Sequence, residues 1–222
     1  MAEEEAEPAG EADEEGAEMS IPMELVLQRF SHGPDSWRGL LQYRAEYQNG
    51  KQGLLNPDDR DALFAAALQV PSGGLIVEIG SFRGCSTVHL AAGAKLVGAR
   101  PVVAIDPFRP NNGGEQLQYP WYWQEFVQTI QRCGLEDMVI PVATYSQYAK
   151  GLLTDESVDL LFIDGDHSAD GVMRDYAFYA TRVKPGGTIL FHDATYPPIA
   201  AFLGTLPGAE PVTELIAKVR KT

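Results

Sequence analysis

The chain has 222 residues, 45% of them hydrophobic, which is enough for one substantial core and too few for two large domains. Its net charge of -14 is concentrated at the front, where Met1 to Ser20 hold nine acids and no base, leaving 22 acids against 17 bases in the remainder. An acidic balance repels phosphate backbones and anionic lipid, so neither nucleic acid nor membrane is an expected partner.

Cys85 and Cys133 are the only cysteines, too few for a disulfide framework and without the paired spacing of a zinc site, which points to a reducing, cytoplasmic setting. No basic stretch followed by an apolar one opens the chain, and no apolar run approaches the ~18 residues of a membrane helix. A soluble protein is expected.

In chain order, residues 1–20 form a low-complexity Ala/Glu/Gly segment that buries too little apolar surface to offset the entropy of ordering, and read as a disordered acidic tail. Ile21 to Phe30 carry the apolar spacing of a short helix. Asn56-Pro57-Asp58-Asp59 ahead of Arg60 to Gln69 combines an N-cap, a proline in the first turn and first-turn acids. Residues 21–72 are therefore expected to form a helical cap on a domain spanning 73–222.

From Gly74 onward short apolar runs alternate with longer amphipathic stretches, the pattern of consecutive βα units. The predicted strands are Leu75 to Ile79, Val102 to Ile105, Val139 to Val142, Val158 to Ile163 and Thr188 to Phe191. Most are continuous apolar runs, as strands covered on both faces should be, so the sheet is predicted to be mostly parallel and doubly wound, with helices on both faces. Pro141 cannot donate a ladder hydrogen bond, which places its strand at an edge and fits the order 3-2-1-4-5. Trp121 to Cys133 read as a helix. Val172, Tyr176, Tyr179 and Val183 share a helical face ahead of the stop signal Lys184-Pro185-Gly186-Gly187.

The turn Val77-Glu78-Ile79-Gly80-Ser81-Phe82-Arg83-Gly84 leaves the first strand and enters a helix near Ser86, so its glycines either bring a ligand to bare backbone or permit tight packing. The spacing is G-x-x-x-G, not that of a dinucleotide fingerprint, and the carboxylate of Glu78 repels a pyrophosphate while attracting an ammonium or sulfonium. Asp106 ends the second strand, where a carboxylate accepts both hydroxyls of a ribose. The alternative is an acid that starts a loop before Pro107.

This ordered set, together with Leu161-Phe162-Ile163-Asp164 and Lys184-Pro185-Gly186-Gly187, resembles the class I S-adenosylmethionine-dependent methyltransferases. Asp164-Gly165-Asp166-His167 and Phe191-His192-Asp193 make it most similar to the small-molecule, metal-dependent O-methyltransferases of the catechol and macrolide-sugar type. The resemblance implies that Glu78, Gly80, Ser81, Gly84 and Ser86 hold the methionine end of S-adenosylmethionine, Asp106 the ribose, and Thr144 and Tyr145, with Ser146, the adenine. Asp164 adjoins the cofactor.

The ends of strands four and five are neighbours in such a sheet, so Asp164 and Asp193 converge beside the transferred methyl group, and two hard oxygen ligands suit Mg²⁺. An ion there would lower the pKa of a substrate hydroxyl and fix its angle to the methyl carbon. His167, three residues past Asp164, is placed to take the proton. The pattern departs from its relatives at His192 and Ala194, which flank Asp193 where an acid and an amide are common. His192 is either a third ligand, favouring Mn²⁺, Fe²⁺ or Zn²⁺, or a substrate-orienting group.

Tyr119, Trp121, Tyr122 and Trp123, after the Asn111-Asn112-Gly113-Gly114 loop, either wall a substrate pocket or pack a helix. His32 and His89 read as structural. Pro198 to Leu203 are expected to form a helix and Val212 to Val219 a last strand, leaving the antiparallel addition short or completed by a second subunit in a homodimer. The resulting expectation is methyl transfer to a small hydroxylated molecule. The rivals are a non-catalytic module with the same cofactor fold and a nucleotide-dependent oxidoreductase.

Overall fold

The computed structural model describes residues 55–109 and 122–222. The segments 1–20 and Ile21 to Phe30, His32, the Asn111 to Gly114 loop, Tyr119 and Trp121 lie outside the described residues. The first described helix, α1 (Pro57–Leu68), begins where the sequence places it. Asn56 Oδ1 accepts from the Asp59 amide at 2.8 Å and the Asp59 carboxylate accepts from the Asn56 amide at 3.3 Å, a reciprocal capping box. Arg60, also buried, donates to the Leu55 carbonyl at 3.0 Å and so ties the incoming chain to the helix.

Four βα pairs and a fifth strand follow: β1 (Ile76–Ile79), α2 (Cys85–Val97), β2 (Val102–Asp106), α3 (Trp123–Arg132), β3 (Val139–Ala143), α4 (Ser146–Ala149), β4 (Val158–Ile163), α5 (Ala169–Tyr179) and β5 (Val183–Phe191). Then come α6 (Pro197–Leu203), β6 (Glu210–Pro211) and β7 (Ala217–Arg220). The seven strands form one mixed sheet in the order β3-β2-β1-β4-β5-β7-β6, with β1 to β5 parallel. β7 runs antiparallel to both β5 and β6.

β1 and β4 sit centrally with side chains covered on both faces, which is why they read as unbroken apolar runs. β3 is the edge that Pro141 requires, and its outer positions are exposed. Two apolar clusters fill the faces: one gathers α1, α2 and α3 around Phe64, Leu90 and Phe126, the other gathers α5 and α6 around Tyr179, Phe191 and Ile199.

Two expectations are corrected. Lys184-Pro185-Gly186-Gly187 do not separate a helix from a strand that starts at Thr188; they lie within β5. Val183 already pairs with Val158, and pairing resumes at Thr188 with Leu160, so the four residues form an irregularity in the ladder. Val183 therefore belongs to the sheet, and α5 stops at Tyr179. Similarly, the last strand begins at Ala217 instead of Val212. The Thr213 hydroxyl accepts from the amides of Leu215 and Ile216, which holds 213–216 as a turn and leaves β6 two residues long.

At the end of β1, Gly80 has φ +88°, and a Cβ added to it would stand 2.0 Å from the carbonyl oxygen of Asp164. Gly80→Ala should therefore lower the melting temperature far more than Asn56→Ala, which removes one cap at about 1 kcal/mol. Thermal unfolding of both variants checks this order, and equal losses would contradict it.

Candidate functional site

A cleft of about 520 Å³ opens over the carboxyl ends of β1, β2, β3 and β4. In an open α/β sheet this is the edge where ligands bind, because strand order reverses there and helix N-termini point inward. Gly80, Ser81, Cys85, Ser86, Asp106, Tyr145, Ser146, Asp164 and His167 all line it. Glu78, Gly84, Thr144, His192 and Asp193 do not contribute to its wall.

Glu78 lies beneath the glycine turn, fully buried. Its Oε2 accepts from the hydroxyls of Ser81 at 2.7 Å and Thr87 at 2.5 Å, while Oε1 is buried with no hydrogen-bond partner. Burial pushes its pKa up to about 7, against the pull of the surrounding Ser86, Thr87 and Ser81 hydroxyls. Gly84 has φ +84° and caps α2 without a side chain, so the first amides of that helix have no capping hydroxyl or carboxylate. An anionic group is favoured at such a terminus.

Asp106 ties the turns together. Its Oδ2 accepts from the Phe82 amide at 2.9 Å and its Oδ1 from the Phe108 amide. Phe82 and Phe108 both have positive φ, 45° and 51°, a conformation rare for aromatic residues, and each delivers its amide to the same carboxylate. The loop-starting role is thus realised. Each carboxylate oxygen retains a second acceptor site for a ligand hydroxyl. Burial raises the Asp106 pKa against these amide bonds.

At the far end of the cleft, His167 stands between two carboxylates, with Nε2 3.2 Å from Asp164 Oδ1 and Nδ1 3.1 Å from Asp193 Oδ2. Ligand atoms of Asp164, His167 and Asp193 all lie within 4.8 Å of one another, a spacing that suits a shared cation. Asp193 has φ 52°, a further strained backbone at a strand end. The hydrogen bond to Asp164 raises the His167 pKa, outweighing partial burial.

His192 sits behind this group. It is buried, with Nδ1 3.2 Å from Asp164 Oδ1 and 3.5 Å from Asp193 Oδ1, and Nε2 3.6 Å from Asp59 Oδ2. Burial opposes its charge, but Asp164, Asp193 and Asp59 together push its pKa up to about 9. Burial likewise raises Asp164, yet the hydrogen bonds from His167 and His192 carry its pKa below the usual range. Asp59, wholly buried at the start of α1, also accepts from the Thr213 hydroxyl. A charged His192 thus joins α1, β4 and β5.

Two of these groups, Thr87 and Asp59, and the cleft-lining Asp175 were not singled out in the sequence. Asp59 showed only as a first-turn acid, and Thr87 only as a neighbour of Ser86. Tyr122 and Trp123 divide between the two readings of the aromatic cluster. Tyr122 lines the cleft mouth against Phe82, ring centres 4.3 Å apart, with the Arg83 guanidinium 5.4 Å from its ring centre. Trp123 packs on Phe108 at 5.1 Å. His89 is buried in α2 with Nδ1 2.7 Å from the Cys85 carbonyl, as a structural histidine should be.

Removing the imidazole of His192 leaves Asp59, Asp164 and Asp193 facing one another, so His192→Ala should cost about 3–5 kcal/mol. A denaturant-unfolding cycle combining it with Asp59→Asn should show coupling above about 1 kcal/mol. Strict additivity would remove Asp59 from the cluster.

Known proteins share the fold of this chain. The chain is 29% identical over 121 residues to the uncharacterized protein R132 of Acanthamoeba polyphaga mimivirus, an alignment covering 53% of this chain and 50% of that protein. The match thus spans about half the length of the curated relative. Among solved structures, cofactor-bound Rv0187 from MTB superposes with a TM-score of 0.61 at 18% identity, covering 90% of this chain and 95% of that one. The O-methyltransferase from Bacillus cereus in complex with SAH gives 0.57 at 18% identity, covering 88% and 97%. A methyltransferase from Geobacter sulfurreducens gives 0.57 at 14% identity, covering 91% and 99%. These likenesses establish a shared fold. The model of the methyltransferase domain family matches residues 77–194, from the first strand through the Asp193 turn and more than half of the chain, and the protein belongs to that family.

Proposed function

We propose that the chain moves a methyl group from S-adenosylmethionine to a hydroxyl of a small acceptor. The observation that carries this reading is one cleft lined both by the glycine turn with Asp106 and by Asp164 with His167. The first set suits a nucleoside joined to an amino acid, and the second suits deprotonation of a hydroxyl. The residues fit the cofactor in two respects: Glu78 keeps one buried oxygen without a partner, and the uncapped start of α2 suits a carboxylate.

Bound there, S-adenosylmethionine supplies an electrophilic methyl group: the S–CH₃ bond breaks as the O–CH₃ bond forms, leaving S-adenosylhomocysteine, and the acceptor's hydroxyl proton is removed. Asp106 orients the ribose and the α2 terminus the methionine carboxylate. Glu78 acts from beneath the turn, fixing the Ser81 and Thr87 hydroxyls and adding negative potential below the ammonium group.

His167 is the proposed base, with its side chain 41% exposed toward the cleft. Both ring nitrogens face carboxylates, so accepting a proton requires one of those contacts to be released. A divalent cation, Mg²⁺ in this reading, would be held by Asp164 and Asp193 with His167 as a further ligand, while the charged His192 behind them has no lone pair to offer, and the ion would supply Lewis-acid stabilisation of the acceptor oxygen. As ligand or as base, His167 serves one role at a time.

Labelled-methyl transfer to a panel of small hydroxylated acceptors tests the reading. Asp164→Asn and His167→Ala should each lower turnover by about 100-fold or more, with S-adenosylhomocysteine affinity of His167→Ala changed only severalfold. Chelation should lower the wild-type rate, and Mg²⁺ should restore it. A chain that binds the cofactor but never transfers the label is the non-catalytic alternative.

A second test uses pH. Because burial raises Glu78, the stability it contributes is complete below its unfolded value of 4.5 and is lost as pH rises through about 7. A bound ammonium favours the carboxylate, so binding releases a proton. S-adenosylhomocysteine affinity should rise about tenfold between about pH 5.5 and pH 7.5, and Glu78→Gln should flatten that rise. Identical profiles would remove Glu78 from cofactor binding.

A further inference from the structure

Asp59 is a wholly buried carboxylate that the proposed chemistry does not use. Its Oδ1 accepts from the Thr213 hydroxyl, while its Oδ2 accepts from the Asn56 amide at 3.3 Å and stands 3.6 Å from His192 Nε2. A capping box works equally well in water, and the neighbouring first-turn acid, Asp58, is exposed. Burying a carboxylate is costly, so the inward position of Asp59 calls for a role beyond the helix end.

His192 extends the contact toward the cleft. Its Nε2 is buried and has no hydrogen-bond partner among the described residues, so the Asp59 carboxylate is what meets that edge of the ring. The other nitrogen, Nδ1, lies 3.2 Å from Asp164 Oδ1 and 3.5 Å from Asp193 Oδ1. Those two acids in turn meet His167, at 3.2 Å from Nε2 and 3.1 Å from Nδ1. Acid and imidazole thus alternate from α1 outward. Side-chain exposure rises along the array, from 0% at Asp59 through 4% at His192 and 19% at Asp164 to 41% at His167, so it leads from the core to the cleft. Its inner end is firmly held. The Thr213 hydroxyl that donates to Asp59 accepts from the amides of Leu215 and Ile216, and the Leu215 carbonyl accepts from the Ala194 amide at 2.9 Å. One turn therefore anchors both Asp59 and the residue after Asp193.

We propose that Asp59 is a positioning residue, fixing the ring of His192 from the core side and, through that ring, the two carboxylates between which His167 stands. The inference rests on the methyl-transfer reading given above, in which His167 takes the proton. A carboxylate behind an imidazole keeps the ring in one orientation, and misplacing a group that handles a proton lowers rate more than affinity. Thr213 grips the opposite oxygen of Asp59, so it anchors α1 without facing His192.

Two variants separate positioning from simple anchoring. Asp59→Asn keeps an acceptor for Thr213 and replaces the oxygen that faces His192 with an N–H donor. In labelled-methyl transfer its kcat should fall about tenfold or more, with the acceptor KM and the S-adenosylhomocysteine affinity unchanged. Thr213→Val removes the other contact of Asp59, and should lower the melting temperature while leaving kcat at the wild-type level. A second readout needs neither cofactor nor turnover. The chain has four histidines, which makes the ring-nitrogen resonances of His167 assignable by NMR. They should shift in Asp59→Asn and stay in place in Thr213→Val. Losses of kcat that follow melting temperature in both variants, or His167 resonances unmoved in Asp59→Asn, would overturn the proposal. If wild type transferred no methyl group while His167 still responded to Asp59→Asn, the methyl-transfer reading would fall and the hold of Asp59 on His167 would stand.

Discussion

The site depends on how closely the ends of β1 and β4 approach. Gly80 lets the carbonyl of Asp164 occupy the space where any other residue would carry its Cβ, and the Asp164 amide in turn donates to the Ile79 carbonyl at 2.8 Å. That contact brings the glycine turn, which leaves β1, against the acid and histidine cluster, which leaves β4. The glycine turn with Asp106 and the pair Asp164 and His167 therefore share one cleft because two strand ends touch. Of the two uses the sequence leaves open for this glycine, tight packing is the one realised: the space of its missing side chain is filled by protein.

Around that contact the chain gathers more carboxylates than an uncharged interior could hold. Glu78, Asp106, Asp164, Asp175 and Asp59 are buried or nearly so, and Asp193 stands beside them. Each is met differently: Glu78 by hydroxyls, Asp106 by backbone amides, Asp175 by Ser146, and Asp164 by the two histidines. His192 is central to this balance, since it faces Asp59, Asp164 and Asp193 from one position and ties the capping helix to the strand ends. The positive φ of Phe82, Phe108 and Asp193 shows the same region taking up backbone strain to present its groups.

What could be read from the sequence was what neighbouring residues determine. The Asn56 capping box, the apolar run Val158 to Ile163 and the edge position of Pro141 follow from side-chain chemistry within a few residues. So do the ordered strand-end acids Asp106, Asp164 and Asp193, because a βα repeat puts every strand end on one edge. Lys184-Pro185-Gly186-Gly187 misled because residues that stop a helix also suit an irregular ladder, and only pairing with Val158 and Leu160 decides between them. Asp59 and Asp175 were illegible as site groups for a different reason. Their partners Thr213 and Ser146 lie 154 and 29 positions away, and no local pattern encodes such a meeting.

The central claim is that this strand-end cleft is built for a nucleoside carrying an ammonium group and not for a pyrophosphate. Direct titration of the full chain with S-adenosylhomocysteine and, separately, with NADH tests it most simply. The account predicts saturable one-to-one binding of S-adenosylhomocysteine, lost in Asp106→Ala, and no binding of NADH. Saturable binding of NADH with none of S-adenosylhomocysteine would contradict it.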